Sequence, residues 1–275
     1  MNLLELKAND DVAFAVDLAL TVGRFLANRP DELTTESKTT KTDIVTHMDK
    51  ASEDMIVQAI TQSRPADSII GEEGANLAGT SGRTWVVDPL DGTINYLYDL
   101  PAWCVSIGLI DDITNQGLVG VVYAPPLDAL YVGVRDVGAF RIRGETASAL
   151  KVSSIKDFSH ALIGTGFGYS SVRRASQARV LKEILPTFRD IRRIGSCAID
   201  LCFVAEGKLD GFFERGVHPW DHAAGALIAR EAGAQVSGLR GSPENSDMMV
   251  VGAGAVHAEL LRLLELHNAD SDDVS

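Results

Sequence analysis

The sequence predicts a mixed α/β protein, in which helices dominate the first third, strands the middle, and both return near the end. Apolar residues recur at helical spacing over residues 10–28 and again over 49–62. Between residues 104 and 142, short apolar runs alternate with Gly, Pro and Asp, a pattern typical of an antiparallel meander. No internal repeat or long linker divides the chain, so we expect one domain over residues 1–275.

Within that domain we expect an α+β half over about residues 1–150 and an α/β half over about 151–265, followed by a frayed acidic tail at 268–275. The chain is 45% hydrophobic and 23% charged, which is ordinary for a globular protein. Its net charge of -13 argues against general binding to nucleic acid or to anionic membranes. No apolar run approaches the roughly 20 residues that a membrane helix requires.

The three cysteines, Cys104, Cys197 and Cys202, form neither a CxxC pair nor a cluster with zinc spacing. An odd number of cysteines in a chain of this size indicates reduced thiols. The first residues are acidic and lack the basic and apolar regions of a signal peptide. We therefore expect a cytoplasmic protein.

The first candidate site residues follow the first helix. Residues 30–41 are polar and predict a loop or mobile flap, in which Lys38 and Lys41 stand out in an acidic chain. We interpret Lys41 as a solvated loop lysine. Residues 43–46 read as a short extended segment, and Asp49 follows where an N-cap or first-turn acid of the second helix belongs.

A second acidic segment follows a short buried strand at residues 68–70. Glu72 and Glu73 lie between glycines at the end of this strand, which is a way to place a carboxylate in a cleft. An ordinary acidic turn would use the same residues. The small residues of 75–82 then predict another loop.

The most informative stretch begins with a strand that includes residues 85–87 and delivers Asp88 and Asp91 at one tight turn. Gly92 permits close approach to a ligand, and Thr93 adds a hydroxyl. Two carboxylates this close repel each other unless a cation lies between them, and hard oxygen ligands suit Mg²⁺ or Ca²⁺ better than zinc. A surface turn is the alternative, because Asp, Pro and Gly are common turn residues.

Later segments add a further acid, Asp221. Further strands are predicted at residues 104–110, 117–123, 129–134, 139–142, 161–164, 190–194, 209–213 and 248–251, and further helices at 176–185, 195–206, 222–232 and 256–264. The glycine-rich run 164–169 lacks the GK[ST] of a Walker A loop. Gly195 and Ser196 open a helix and suit an anion or a hydroxyl. Asp221 lies at another helix start, either as a simple N-cap or as a further site carboxylate.

Together these segments supply carboxylates that cannot share a cleft while ionised unless cations neutralise them. Glu72, Asp88, Asp91 and Asp221 are the acids in question, with Asp49 and Thr93 beside them. Two or three Mg²⁺ ions would complete such a site and would take phosphate and water as their remaining ligands. This pattern predicts metal-assisted hydrolysis of a phosphate ester, with the Gly92 and Thr93 amides at a helix start holding phosphate.

The motifs resemble those of the inositol monophosphatase family over about residues 10–265. Its three signatures are matched by Gly71-Glu72-Glu73, by the run from Trp85 to Thr93, and by Trp220-Asp221 with the small residues that follow. The resemblance implies a layered α/β/α/β sandwich of the inositol monophosphatase and fructose bisphosphatase type. Residues 164–169 and 192–196 look most like the bacterial inositol-1-monophosphatase branch.

The same resemblance implies roles for individual residues. The implied metal ligands are Glu72, Asp88, Asp91, Asp221 and the carbonyl of Leu90, and Glu72 also orients the attacking water. Thr93 and Asp49 help to activate this water, and Lys38 belongs to a flap. The implied substrate-binding residues are Asp91, Gly92, Thr93, Gly195, Ser196, Cys197, Glu214 and Asp221. Cys197 and Pro219 depart from the residues usual at their positions.

The implied activity is Mg²⁺-dependent hydrolysis of inositol monophosphate, and Glu214 favours a cyclitol because a carboxylate accepts hydrogen bonds from neighbouring hydroxyls. Histidinol phosphate, fructose 1,6-bisphosphate and a nucleotide 3′-phosphate stay open as alternative substrates. The family also implies a homodimer and inhibition by lithium. Some bacterial relatives act in transcription or ribosome biogenesis, so a protein partner is a further alternative.

Overall fold

The computed structural model describes residues 2–38, 40 and 43–272, so Lys41 lies outside the described residues. The helices are α1 Leu3–Leu6, α2 Asp10–Ala27, α3 His47–Ser63, α4 Thr93–Leu97, α5 Ser171–Ile184, α6 Cys197–Ala205, α7 Pro219–Glu231 and α8 Gly254–Leu266. The strands are β1 Thr35–Ser37, β2 Ile44–Thr46, β3 Ser68–Gly71, β4 Asn76–Leu77, β5 Arg83–Asp91, β6 Cys104–Asp111, β7 Gln116–Ala124, β8 Ala129–Val134, β9 Gly138–Arg143, β10 Thr146–Ala149, β11 Leu162–Thr165, β12 Asp190–Arg192, β13 Gly211–Glu214, β14 Gln235–Ser237 and β15 Met249–Gly252.

The larger sheet has eight strands in the order β10-β9-β8-β7-β6-β5-β3-β4. All neighbours are antiparallel except β3 and β5, which run parallel, so that the residues after β3 and the end of β5 lie at the same edge. Trp85 of β5 is fully buried and its indole N–H donates to Asp67 at 2.9 Å, which satisfies the polar end of a large apolar side chain. This arrangement fixes the strand that delivers the acidic turn.

The smaller sheet has five strands in the order β12-β11-β13-β15-β14. Its strand β11 runs parallel to both β12 and β13, whereas β15 is antiparallel to its two neighbours. The carboxyl ends of β11 and β13 therefore meet at one edge. Glu214 and the glycine-rich loop after Thr165 both start from that edge.

The two sheets are joined through a layer formed by α6 and α7. Helix α7 packs closely on the larger sheet because the strands carry glycines there: a Cβ at Gly120 would lie 2.6 Å from the Ala224 carbonyl oxygen, and one at Gly133 would lie 2.9 Å from the Ile228 Cα. Helices α2 and α3 cover the opposite face of that sheet, and α5 and α8 cover the outer face of the smaller sheet. The predicted layered α/β fold is confirmed, with this additional outer layer of helices.

Several boundaries differ from those predicted. The proposed loop over 30–41 contains β1, which pairs with β2 in a separate two-stranded sheet, and the loop over 75–82 contains β4. Strands β10 and β14 were not predicted, because their short polar sequences lack an apolar alternation and they pair only at sheet edges. Helix α5 begins five residues before the predicted start, because its first turn is polar and faces solvent.

The end of the chain is also more ordered than the predicted frayed tail. Ala269 is 5% exposed and joins the apolar core under the smaller sheet, Asp270 forms an ion pair with Arg240, and Asp272 forms one with Arg215. Residues 273–275 lie outside the described part. Among the described helices, none has the length and apolar character needed to cross a bilayer.

Candidate active site

The turn at the end of β5 is held by its own backbone. The Leu90 N–H donates to Asp88 Oδ1 at 2.9 Å, and the pairing with β6 shifts between Asp88 and Asp91, so the strand bulges where its acids emerge. Gly92 follows with φ 96°, and a Cβ there would lie 2.7 Å from the Ala102 carbonyl oxygen. Only glycine fits this position without strain.

Thr93 and Asp49 are joined as predicted. The Thr93 hydroxyl donates to Asp49 Oδ1 at 2.8 Å, and it lies 3.1 Å from the Leu90 carbonyl. The other oxygen of Asp49 accepts from the Thr46 N–H at 2.9 Å and from the Thr46 hydroxyl at 2.5 Å. Thr46 is the N-cap of α3 and Asp49 is its first-turn acid, so capping fixes Asp49 before it contacts Thr93.

Glu72 faces Lys38 across the cleft. Lys38 Nζ lies 2.8 Å from Glu72 Oε1 and 2.6 Å from Glu73 Oε1. Burial alone would lower the pKa of Lys38, but the two carboxylates raise it above its ordinary value. Burial raises the pKa of Glu73 to about 7, although Lys38 opposes the shift. The lysine of the predicted flap therefore supplies a cation beside a proposed metal ligand.

The turn that carries Glu72 is held by a residue that the sequence reasoning missed. Glu53, buried on α3, accepts from the Glu73 N–H at 2.8 Å and from the Ala75 N–H at 2.9 Å. Gly71 leaves room for it, because a Cβ there would lie 2.3 Å from Glu53 Oε2. The available signal was an acid one helical turn after Asp49, which points to the same side of the helix.

Asp91 connects the two halves of the molecule. Its Oδ2 accepts from the Ser196 hydroxyl and from the Ala198 N–H, each at 2.7 Å. Burial raises the pKa of Asp91 to about 6, and the Ser196 hydrogen bond opposes the shift. Ser196 is also the N-cap of α6, since its hydroxyl accepts from the Ile199 N–H at 3.2 Å. One serine thus fixes both a helix start and a site carboxylate.

Asp221 lies in the first turn of α7. The helix begins at Pro219 with His218 as its N-cap, so Asp221 is the N3 residue of a capping box and not the N-cap itself. Its Oδ2 instead accepts from the His218 N–H at 2.6 Å. Burial, and then the charge of Glu72, raises the pKa of Asp221 well above its ordinary value.

The remaining predicted substrate residues lie on the other side of the cleft. Glu214 ends β13 and faces Gly166, where a Cβ would lie only 1.9 Å from Glu214 Oε1. Burial raises the pKa of Glu214 to about 7, although the Arg193 charge lowers it. Gly195 has φ 96°, which turns the chain into α6, and the buried Cys197 begins that helix.

These residues border one cleft of about 1020 Å³. The predicted residues that line it are Lys38, Glu72, Asp88, Leu90, Asp91, Gly92, Thr93, Gly195, Ser196, Cys197, Glu214 and Asp221. Asp49 lies behind Thr93, which it contacts. The cleft also contains residues that were not predicted, namely Arg173, Arg174, Arg193, Arg215 and Asp200. The arginines are scattered in sequence, and nothing short of the fold brings them together.

The charges of Glu72, Asp88, Asp91 and Asp221 act on one another within the cleft. Burial, and then the charges of its three carboxylate neighbours, raises the pKa of Asp88 well above its ordinary value. Within residues 2–38, 40 and 43–272, no three His, Cys, Asp or Glu side chains are close enough to enclose an ion as they stand. The candidate metal ligands are nevertheless all oxygen atoms, from four carboxylates that repel one another and from the Leu90 carbonyl. This chemistry fits a hard divalent cation.

Comparison with known proteins agrees with this geometry. The model of the inositol monophosphatase family matches residues 8–274. An inositol-1-monophosphatase of Mycobacterium leprae (strain TN) is 43% identical over 240 residues, which cover 84% of this chain and 81% of that protein. A Nus factor SuhB of Escherichia coli (strain K12) is 39% identical over 236 residues, covering 82% and 84% of the two chains.

A solved structure provides the third likeness. The extragenic suppressor protein suhB from Bartonella henselae superposes with a TM-score of 0.86 at 29% identity. The match covers 94% of this chain and 99% of that one. The likeness therefore extends over both sheets and the helices between them.

Proposed function

Because the chain belongs to the inositol monophosphatase family, whose members depend on metal ions, we propose that it is a Mg²⁺-dependent phosphomonoesterase that hydrolyses inositol monophosphate to inositol and phosphate. One observation carries this proposal: acids from three separate segments meet in one cleft beside a hydroxyl that is bonded to a buried carboxylate. That combination serves metal-assisted attack of water on a phosphate ester.

The residues divide into metal-holding and water-handling groups. Glu72, Asp88, Asp91, Asp221 and the Leu90 carbonyl would hold two or three Mg²⁺ ions, which supply an acidified water and neutralise charge on the phosphate. The Thr93 hydroxyl donates a hydrogen bond to Asp49, so the lone pairs of the Thr93 oxygen stay available to accept a hydrogen bond from that water. Glu72 would help to orient the same water.

The phosphate and the alcohol are held by different parts of the cleft. We assign the phosphate to the N–H groups of Gly92 and Thr93, which lie at the start of α4. Hydroxyls of the cyclitol would meet the Asp91 carboxylate, the backbone of residues 195–197, and Glu214 at the end of β13. Because residue 166 is a glycine, no side chain occupies the space that the Glu214 carboxylate takes in the cleft.

A homodimer in the cytoplasm and inhibition by lithium are part of the same proposal. The family to which the chain belongs supports the homodimer and the lithium inhibition. The three free, buried cysteines support a reducing compartment such as the cytoplasm. Size-exclusion chromatography with light scattering measures the oligomer. A lithium titration of phosphate release, carried out at several Mg²⁺ concentrations, measures the inhibition.

The decisive experiment is a panel of phosphate esters with a Mg²⁺ titration. It includes inositol 1-phosphate, histidinol phosphate, fructose 1,6-bisphosphate and a nucleotide 3′-phosphate, ranked by kcat/KM. We expect inositol 1-phosphate to rank first, with activity that is lost in EDTA and recovered with Mg²⁺. Metal-independent hydrolysis would overturn the mechanism, and a different leading ester would change the substrate but not the chemistry.

A second function is suggested by the relative from Escherichia coli that is named a Nus factor. A role of this kind needs a protein partner in transcription or ribosome biogenesis and no hydrolysis. This function would be supported if the Asp88→Asn variant captured as much transcription or ribosome protein as the unmodified protein does. Loss of capture together with activity, or no capture at all, would oppose it.

A further inference from the structure

Two arginines that line the cleft share one carboxylate from the end of the chain. Arg173 comes from the first turn of α5, and Arg215 directly follows β13. Asp272 Oδ1 lies 2.5 Å from Arg215 Nη1 and 3.8 Å from Arg173 Nε. Arg215 is only 7% exposed, so its guanidinium depends on this partner for charge compensation.

Each arginine is tied to a substrate-facing segment. Arg173 passes between two glycines: a Cβ at Gly168 would lie 2.8 Å from its Cδ, and one at Gly216 would lie 2.6 Å from its Nη1. Gly168 belongs to the glycine-rich loop that lines the cleft, and Arg215 is the residue after Glu214. A displacement of either guanidinium would therefore move the hydroxyl-binding side of the cleft.

The position of Asp272 is set from outside the cleft. Ala269 is buried in the core under the smaller sheet, Asp270 pairs with Arg240, and the carbonyl of His267 accepts from Arg179 Nη1 at 3.2 Å. These contacts bring the carboxylate to the two arginines. Without it, two guanidinium groups of like charge would lose their shared counter-ion at a partly buried site and would attract another anion.

We propose that Asp272 is a positioning residue, the internal counter-ion of an anion site formed by Arg173 and Arg215. Its carboxylate holds the glycine-rich loop and the turn after Glu214 in place for substrate, and it keeps free anions out of this site. The effect on substrate rests on the proposed function, whereas the binding of a free anion does not.

The test compares Asp272→Asn with Glu259→Gln in the full-length protein, with sulfate as the probe. Glu259 is the matched control, because it is a surface carboxylate that pairs with an arginine, Arg262, outside the cleft. We expect sulfate to raise the melting temperature of Asp272→Asn more than that of the unmodified protein, and Glu259→Gln to behave as unmodified. Asp272→Asn should also raise KM about fivefold while kcat stays within about twofold.

Two further variants separate positioning from a general loss of structure. Asp272→Glu should restore KM and the weak response to sulfate. Adding Arg215→Gln to Asp272→Asn should abolish the extra sulfate stabilisation. Equal sulfate responses of Asp272→Asn and Glu259→Gln would overturn the anion site, and an unchanged KM would overturn the positioning role. Selective sulfate stabilisation in a protein that hydrolyses no ester would support the anion site and refute the phosphatase.

Discussion

The two sides of the cleft are built in different ways. We call Glu72, Asp88, Asp91 and Asp221 the acidic wall, and Arg173, Arg193 and Arg215 the arginine wall. Two acids of the first wall accept from backbone N–H groups close in sequence, Asp88 from Leu90 and Asp221 from His218, whereas Asp91 accepts from Ser196 and Ala198 of α6. The arginine wall depends on partners far along the chain, as the pairing of Arg215 with Asp272 illustrates.

The difference assigns chemistry to one wall and recognition to the other. The acidic wall joins Thr93 and Asp49 and concentrates negative charge where cations and water are needed. The arginine wall lines the cleft with Glu214, whose charge interacts with Arg193 and to which we assign the hydroxyls of the substrate. Changes in the first wall should therefore lower kcat, and changes in the second should raise KM.

The largest effect is expected from Asp88→Asn. The amide keeps the size of the side chain but removes one of the charges that attract Mg²⁺, so kcat should fall by about 10³-fold or more. Steady-state release of phosphate at saturating Mg²⁺ measures it. Asp111→Asn is the control, because Asp111 accepts hydrogen bonds from Ile113 and Thr114 in a surface turn and should leave kcat unchanged. Near-normal activity of Asp88→Asn would remove the acidic wall from the chemistry.

The next effect concerns the hydroxyl of Thr93. Thr93→Ala should lower kcat by about 10²-fold with a small change in KM, because it removes the group that orients water while the metal-holding acids remain. Thr93→Ser keeps the hydroxyl that donates to Asp49 and should retain most of the activity. If the serine variant is as slow as the alanine variant, the methyl group matters for packing and the hydroxyl has no role in the reaction.

A smaller effect should separate the walls. Glu214→Gln keeps the shape of the side chain and weakens its acceptance of hydroxyl hydrogen bonds, so KM for inositol 1-phosphate should rise about tenfold with kcat within about threefold. The matched substrate is a simple alkyl phosphate, which lacks ring hydroxyls and should show little change. An equal loss for both esters would place Glu214 in the chemistry instead of in recognition.

The turn that carries Asp88 and Asp91 could be predicted because its determinants are short range. Pro89 disfavours helix at Asp88, so the buried strand runs into a tight turn that brings the two acids together. The mixed α/β content followed from periodicity, and the layered arrangement followed from the family resemblance alone. The short edge strands β10 and β14 did not, because hydrogen bonding to a neighbouring strand stabilises them and their own sequences do not.

The arginine wall could not be predicted from its sequence. Arg193 is exposed in a polar segment, and an isolated arginine is normally a solvated surface residue. Arg215 looked equally ordinary, and it is buried only because the tail folds back and brings Asp272 to it. Arginines of this kind can be assigned to the cleft only when the tertiary structure shows which residues lie beside them.

The last effect concerns stability instead of activity, at α7, the helix that carries Asp221 of the acidic wall. Burial lowers the pKa of His222 to about 4, and its Nδ1 has no hydrogen-bond partner among the described residues. In the unfolded chain a histidine binds a proton near pH 6.5, so the neutral folded form is favoured above that pH and loses its advantage as the pH falls toward about 4. Between about pH 7.5 and about pH 4.5, the unmodified protein should lose about 2 kcal/mol more free energy of unfolding than His222→Gln.

Urea unfolding measures this difference, and His160→Gln, which alters a side chain that is 62% exposed, is the control. Parallel pH profiles for the unmodified protein and His222→Gln would mean that this helix tolerates a charge, and that the acidic wall next to it can stabilise a protonated histidine.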